Sequence, residues 1–182
     1  KISCVEETSV TGTPGQLVNT TVTTLQGDNQ IAIQTFDGNV SGERTTVNVY
    51  TGVTVPGLVR DLSGTVSEDM LSLSMTWNAP NPDKYGGYVD PATTEYLLGI
   101  YDAVQEKWDL TPIGTGINAY TYTMSEGAPQ DLYRIGILAR NAAGDNGSIM
   151  SLNAHMGTPL KLSLTEDFEN YEFAYQPWII YK

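Results

Sequence analysis

Leu71-Ser72-Leu73-Ser74-Met75-Thr76-Trp77 alternates apolar and polar side chains without a break. That is a period of two, the repeat of a strand with one face buried and the other wet. A helix would scatter the same apolar residues around its circumference. Asn78-Ala79-Pro80-Asn81-Pro82 follows, and proline, with no amide hydrogen to donate to a ladder, ends the strand there. The stretch predicts a strand that turns Leu73, Met75 and Trp77 toward a core.

Outward from it, further strands are expected at sandwich spacing. Residues 94–101 place Tyr96, Leu98 and Ile100 on one face, and 119–124 do the same with Tyr120, Tyr122 and Met124. Residues 132–140 carry Tyr133, Ile135, Ile137 and Ala139, and 148–156 close the set with Ile149, Met150 and Leu152. Turn formers separate them: Gly114-Thr115-Gly116, Ser125-Glu126-Gly127-Ala128-Pro129 and Ala143-Gly144-Asp145-Asn146-Gly147. Residues 102–109 read as a hairpin turn leading to a strand around Trp108. No amphipathic helix of roughly ten residues or more can be drawn. The fold class is all-β.

Composition sets bounds on function. The chain has 182 residues, room for one large domain or two small ones. The net charge is -12 and only 9 residues are Lys or Arg. They do not cluster, which argues against a nucleic-acid partner. The acidity fits a protein kept soluble by self-repulsion. No apolar stretch is long enough to span a bilayer. Lys1 opens no secretory n-region or h-region, so any signal peptide is expected to have been removed. Cys4 is the single cysteine, so no disulfide forms within the chain, and it reads as a small buried hydrophobe.

The chain also repeats itself. Ile31-Ala32-Ile33 through Asn39-Val40-Ser41-Gly42 lines up with Tyr133-Arg134-Ile135 through Asn141-Ala142-Ala143-Gly144. The offset is about 100 residues, the length of one sandwich module. Residues 1–54 therefore read as the second half of a copy whose first half is absent, with strands at 17–25, 30–36 and 45–51. Its missing strands are expected from elsewhere: from outside this sequence, from residues 160–182, or from a partner chain by strand addition.

Residues 56–158 resemble the fibronectin type III family, an immunoglobulin-like β-sandwich. Val55-Pro56 and Leu62 resemble its opening strand, and Trp77 followed by Ala79-Pro80 its second strand with the core tryptophan. Tyr96 is similar to the core tyrosine of the third strand. Leu132-Tyr133 followed by Ala139-Arg140-Asn141-Ala142-Ala143-Gly144 resembles the sixth strand and its turn. The resemblance implies that Tyr133 forms a tyrosine corner, its hydroxyl bonded back to the backbone upstream, with Ala128-Pro129 at the bend. In the first half-copy Ile31 stands at the corner position, so that bond is missing there. The long Gly86-Gly87-Tyr88 loop after Trp77 is similar to sandwich modules of multidomain surface proteins from gut-type Bacteroidetes. Residues 159–182, with Leu164-Thr165-Glu166-Asp167-Phe168-Glu169-Asn170, resemble the first strands of a jelly-roll anchor or adhesin-like domain. Membership implies extracellular binding, adhesion or spacing, and no catalysis.

The chemistry-bearing residues agree with that. His155 is the only histidine and lacks zinc-type spacing or a local partner. No Gly-rich segment ends in Gly-Lys-Ser/Thr. Glu68-Asp69 and Glu166-Asp167 are carboxylate pairs in expected loops or strand edges, without the facing cleft that glycosidase chemistry needs. Asn81, Asp83 and Asp90 crowd one loop with oxygen ligands of the kind calcium takes, but they also suit turns, and no metal site is assigned. Asn19, Asn39 and Asn146 open sequons. The functional candidates are aromatic: Tyr85 and Tyr88 in the long loop, and Trp108, which could stack on a glycan. The competing reading packs the two tyrosines over the sandwich end or against the neighbouring module, and Trp108 on a sheet face.

The expected function is a non-catalytic extracellular spacer or adhesion module of a larger bacterial surface protein, secreted or outer-membrane-associated. It needs no cofactor and contacts neighbouring domains, extracellular protein or glycan. The alternatives are a carbohydrate-binding module using Tyr85, Tyr88 and Trp108, or an accessory domain of a secreted hydrolase.

Overall fold

The structure is a computed structural model and describes residues 7–159. The readings of Cys4, Glu166-Asp167 and the jelly-roll-like tail lie outside the described residues. In chain order the strands are β1 (Gly27–Asp37), β2 (Val40–Thr51), β3 (Arg60–Val66), β4 (Ser72–Asn78), β5 (Glu95–Asp102), β6 (Lys107–Thr115), β7 (Ala119–Thr123), β8 (Asp131–Arg140) and β9 (Met150–Met156). They make a two-stranded ribbon β1-β2, a three-stranded sheet β3-β4-β7 and a four-stranded sheet β6-β5-β8-β9. Every pairing within these sheets is antiparallel. The second and third sheets face each other as a sandwich of the fibronectin type III and immunoglobulin-like class.

The period-two pattern of β4 decides what lies inside. Leu73, Met75 and Trp77 are buried while Ser74 and Thr76 face out. Across the core they meet Tyr96 and Leu98 of β5, Ile135, Ile137 and Ala139 of β8, and Ala154 and Met156 of β9. The Trp77 and Tyr96 rings pack tilted with centroids 5.3 Å apart, the geometry that aromatic quadrupoles favour. On the outer face, hydroxyls pair across strands: Ser63 with Thr76, Ser74 with Thr121 and Ser72 with Thr123. That ladder satisfies the wet face without charge.

The Tyr133 hydroxyl donates to the Pro129 carbonyl oxygen at 2.8 Å. This is the expected tyrosine corner, and it anchors the start of β8 to the bend before it. Residues 103–106 form the expected hairpin turn and lead into β6 with Trp108, and the Asp102 carboxylate accepts from the backbone N–H groups of Val104 and Gln105.

Two features differ from the sequence reading. Residues 17–25 form no strand. A strand needs a neighbouring strand to accept its amides, and the ribbon ties the end of this stretch through side chains instead: the Leu25 carbonyl accepts from Asn29 Nδ2 and Thr51 Oγ1. Second, Leu97 and Leu138 are buried although they lie on the side of the sheet opposite Leu98 and Ile137. They are cross-strand partners, and Leu97 also faces Pro112 of β6, so the outer surface of this sheet carries an apolar spot of its own.

Burial raises the Tyr96 phenol above its ordinary value, and the nearby Trp77 indole N–H offsets part of that shift. That N–H is itself buried and meets no acceptor at hydrogen-bonding geometry. The Tyr122 phenol is raised by burial and by the neighbouring Tyr133 and Tyr120.

Removing the corner bond by Tyr133→Phe should lower unfolding free energy by about 1 kcal/mol, read from the urea midpoint at unchanged slope. An unchanged midpoint would show that the corner contributes nothing to stability. The two raised phenols predict an alkaline limit. An unfolded tyrosine releases its proton near pH 10 while the folded one holds it, so their contribution is full below about pH 10 and declines as pH climbs through the raised folded values. Urea midpoints at pH 8 and pH 11 test this, and Tyr96→Phe with Tyr122→Phe should flatten the difference.

Candidate functional site

The long loop between β4 and β5 runs beside the segment that joins the ribbon to the sandwich. Gly57 N–H donates to the Asn81 carbonyl at 2.9 Å, and Asp83 N–H to the Val55 carbonyl at 3.1 Å. Pro56 and Pro82 form an isolated antiparallel bridge, Val53 and Tyr88 a parallel one. The Gly52 carbonyl accepts from Tyr88 N–H at 2.9 Å, and the Tyr88 carbonyl accepts from Thr54 N–H at 3.0 Å. At the ribbon end, Tyr50 N–H donates to the Tyr85 carbonyl at 3.1 Å. From the other side, Asn141 Nδ2 donates to the Thr54 carbonyl at 2.8 Å. Thr54 is 2% exposed. The joining segment is therefore laced into the structure along its length, unlike the exposed connections typical of domain boundaries.

Gly86 makes this approach feasible. Its φ is +81°, and a Cβ there would lie 2.8 Å from the Tyr50 carbonyl oxygen and collide with the Val49 side chain. Only glycine tolerates both the left-handed backbone and the contact.

The backbones of Tyr85 and Tyr88 are thus committed to the joint, while their side chains face solvent at 85% and 56% exposure. Trp108 lies elsewhere. It sits on β6 opposite Tyr101, six residues along β5 from Glu95 where the loop ends, a span of about 20 Å at the rise of a strand. The structure brings Tyr85 and Tyr88 into one loop and does not bring Trp108 to them.

Trp108 has its own surroundings. Its ring and that of Tyr101 are 5.3 Å apart and tilted. The Arg134 guanidinium carbon stands 5.3 Å from the Tyr101 ring centre and 5.2 Å from that of Trp108. Arg134 Nε donates to Ser151 Oγ at 3.1 Å, which fixes the guanidinium. Gly99 leaves room for the indole, since a Cβ there would meet Trp108 Cε3 at 2.9 Å. A cation over aromatic faces is an attractive arrangement, and here it knits β6, β5, β8 and β9 together on the sheet's outer side. Sequence reading missed Arg134. Tyr101 was findable as the cross-strand mate of Trp108 across the short turn.

The polar groups of the loop have structural work. The Asp90 side chain accepts from Ala92 N–H, and its carbonyl accepts from Thr94 Oγ1. Among the described residues no group of three or more His, Cys, Asp or Glu side chains could hold a metal. His155 is exposed on β9. Asp69 accepts from the Ser67 hydroxyl and from Leu71 N–H, which hold its carboxyl below the usual range. The Arg140 guanidinium, hydrogen-bonded to Glu95, lowers the Glu95 carboxyl in the same way. A shallow depression of about 320 Å³ lies against Trp77 and Tyr96, with Pro91, Gly116 and Ile117 on its walls. It brings together no acid–base pair. No helix among the described residues is long and apolar enough to cross a membrane.

No protein-family model matches the sequence. No curated protein matches it. Among solved structures, the rat CD45 extracellular region, domains d3-d4, is 12% identical with a TM-score of 0.42, covering 85% of this chain and 81% of that one. Chicken CNTN1 domains FN1-FN3 are 15% identical with a TM-score of 0.42, covering 72% of this chain and 44% of that one. The fifth fibronectin type III domain of Drosophila Lar is 16% identical with a TM-score of 0.37, covering 57% of this chain and all of that one, 100%. These are likenesses of fold and carry nothing about ligand or partner.

Gly86→Ala should loosen the joint selectively. A strained left-handed alanine costs about 1–3 kcal/mol, so amide exchange at Tyr50, Thr54 and Tyr88 should quicken about tenfold or more. Exchange at Ile135 and Ile137 in the core should stay as it was. Equal acceleration everywhere would show that the loop stabilises the whole sandwich and not the joint.

Proposed function

We propose that the chain is a non-catalytic spacer and adhesion module of a larger extracellular surface protein, and that its work is to hold neighbouring elements at a set angle. The observation that carries this reading is the lacing of residues 50–57 by the loop after β4. A flexible connection would leave orientation free. Here backbone hydrogen bonds from the loop on one side and the Asn141 side-chain amide on the other fix it, and the Gly86 contact sets the distance of approach. The Gly-Gly-Tyr loop that resembles bacterial surface modules supports the bacterial setting. The acidic composition, with net charge -12, suits a module that must not self-associate on a crowded surface.

A distance measurement between spin labels at Asn39 and Asp131 tests the proposal. A single narrow distribution is expected in the intact chain, broadening in Gly86→Ala. A broad distribution in the unaltered chain would refute the rigid-spacer reading.

A second reading rests on the exposed rings of Tyr85 and Tyr88, which a sugar face could stack on. Trp108 is too far away to share that ligand. Glycan-array binding that disappears in Tyr85→Ala/Tyr88→Ala and persists in Trp108→Ala would favour carbohydrate recognition. Absence of binding would leave the spacer reading alone.

A further inference from the structure

The β1-β2 ribbon has two unlike faces. Gln30, Gln34, Arg44 and Asn48 line one, and side chains hydrogen-bond across it, Gln30 to Asn48 and Arg44 to Gln34. The other carries Ile31, Ile33, Val47 and Val49, of which Ile33 is 62% and Val47 47% exposed. The sequence repeat matches Ile31 with Tyr133 and Ile33 with Ile135. The strand registers extend that match into space. Ile31 opposes Val47 as Tyr133 opposes Ala154, Asn29 opposes Val49 as Asp131 opposes Met156, and Ile33 opposes Thr45 as Ile135 opposes Leu152. The apolar face of the ribbon is thus the counterpart of the inner face of β8-β9, where Ile135 is 0% and Ala154 4% exposed. The edge of β8 that β5 occupies corresponds to the edge of β1 that no described strand occupies.

We infer that β1-β2 is the closing hairpin of a second sandwich, and that its apolar face and open β1 edge are a docking surface for strands of the β3 to β6 type joined on the polypeptide ahead of β1. The correspondence with β8-β9 says what covers it: a β5-like strand on the edge, and a β3-β4-like sheet over Ile31, Ile33, Val47 and Val49. In the complete copy those strands precede β8, which places the donor on the amino-terminal side. A second copy of this chain has no spare set, because its own β3, β4 and β5 are sealed in its core. Residues 17–25 stand where β7 stands in the complete copy, and become a strand once a β4-like neighbour is present.

The test compares the intact chain with a tandem protein carrying a second copy of residues 56–116 joined ahead of Gly15, which the repeat offset makes equivalent to Ile117. In the intact chain, the amides of Ile31, Ile33 and Val47 should exchange fast and sedimentation should give a monomer. In the tandem they should slow at least tenfold. Ile33→Asp with Val47→Asp should abolish that slowing while amides of β8 keep theirs. A dimeric intact chain with a protected ribbon would overturn the inference, because the face would then be covered by a second copy. Equal exchange in intact and tandem proteins, or protection that survives the two aspartates, would overturn it as well.

Discussion

The fold depends on Trp77 being held between two sheets. Its strand hands three large side chains inward at every second position, and Tyr96 receives the indole from across the core. A one-residue slip of β4 would turn Leu73, Met75 and Trp77 into water and bring serine and threonine inside. The serine–threonine ladder on the outer face works against such a slip, because a shift of one residue would set its hydroxyls against apolar side chains of the neighbouring strands. Packing on one face and hydrogen bonding on the other specify the same alignment, which is how a fold gains a single answer.

From that core the structure builds outward in two directions. Toward one end, β5 and β8 carry Glu95 and Arg140, and the adjoining turns meet the joining segment through Asn141 and the long loop. Along the outer side of the same sheet, Trp108, Tyr101 and Arg134 tie neighbouring strands together. Neither region has the marks of a reaction centre. Both spend aromatic and polar side chains on holding backbone in place, and the rings left in water, Tyr85 and Tyr88, are the ones whose own backbones do the clamping.

What the sequence disclosed follows distance along the chain. Alternation in 71–77 and the inward set Tyr133, Ile135, Ile137 and Ala139 were legible because period two needs only neighbours. The tyrosine corner was legible through the resemblance to the fibronectin type III family, which implied a bond from Tyr133 back to the bend at Ala128-Pro129. Arg134 over Trp108 was not, because it requires knowing that β8 lies beside β5 and β5 beside β6. Residues 17–25 were expected as a strand from their match to the repeat, yet that match supplies no neighbouring strand, and the ribbon ties Leu25 only through the side chains of Asn29 and Thr51. The length of the loop after Trp77 stood out in the sequence. Its counterpart, the segment from Gly52 to Gly57, stood out only at Val55-Pro56, and the pairing of the two did not, because a clamp of backbone on backbone leaves almost no trace in side-chain identity.

The paired course of that loop and that segment has a mechanical consequence. A tether with one strand passes tension through a single series of bonds and straightens before it pulls. Here two stretches of backbone run alongside each other from Gly52 to Pro56, as in a spliced rope, and load entering at the ribbon divides between them. A pull on the ribbon would therefore have to break the hydrogen bonds between them before the segment could straighten.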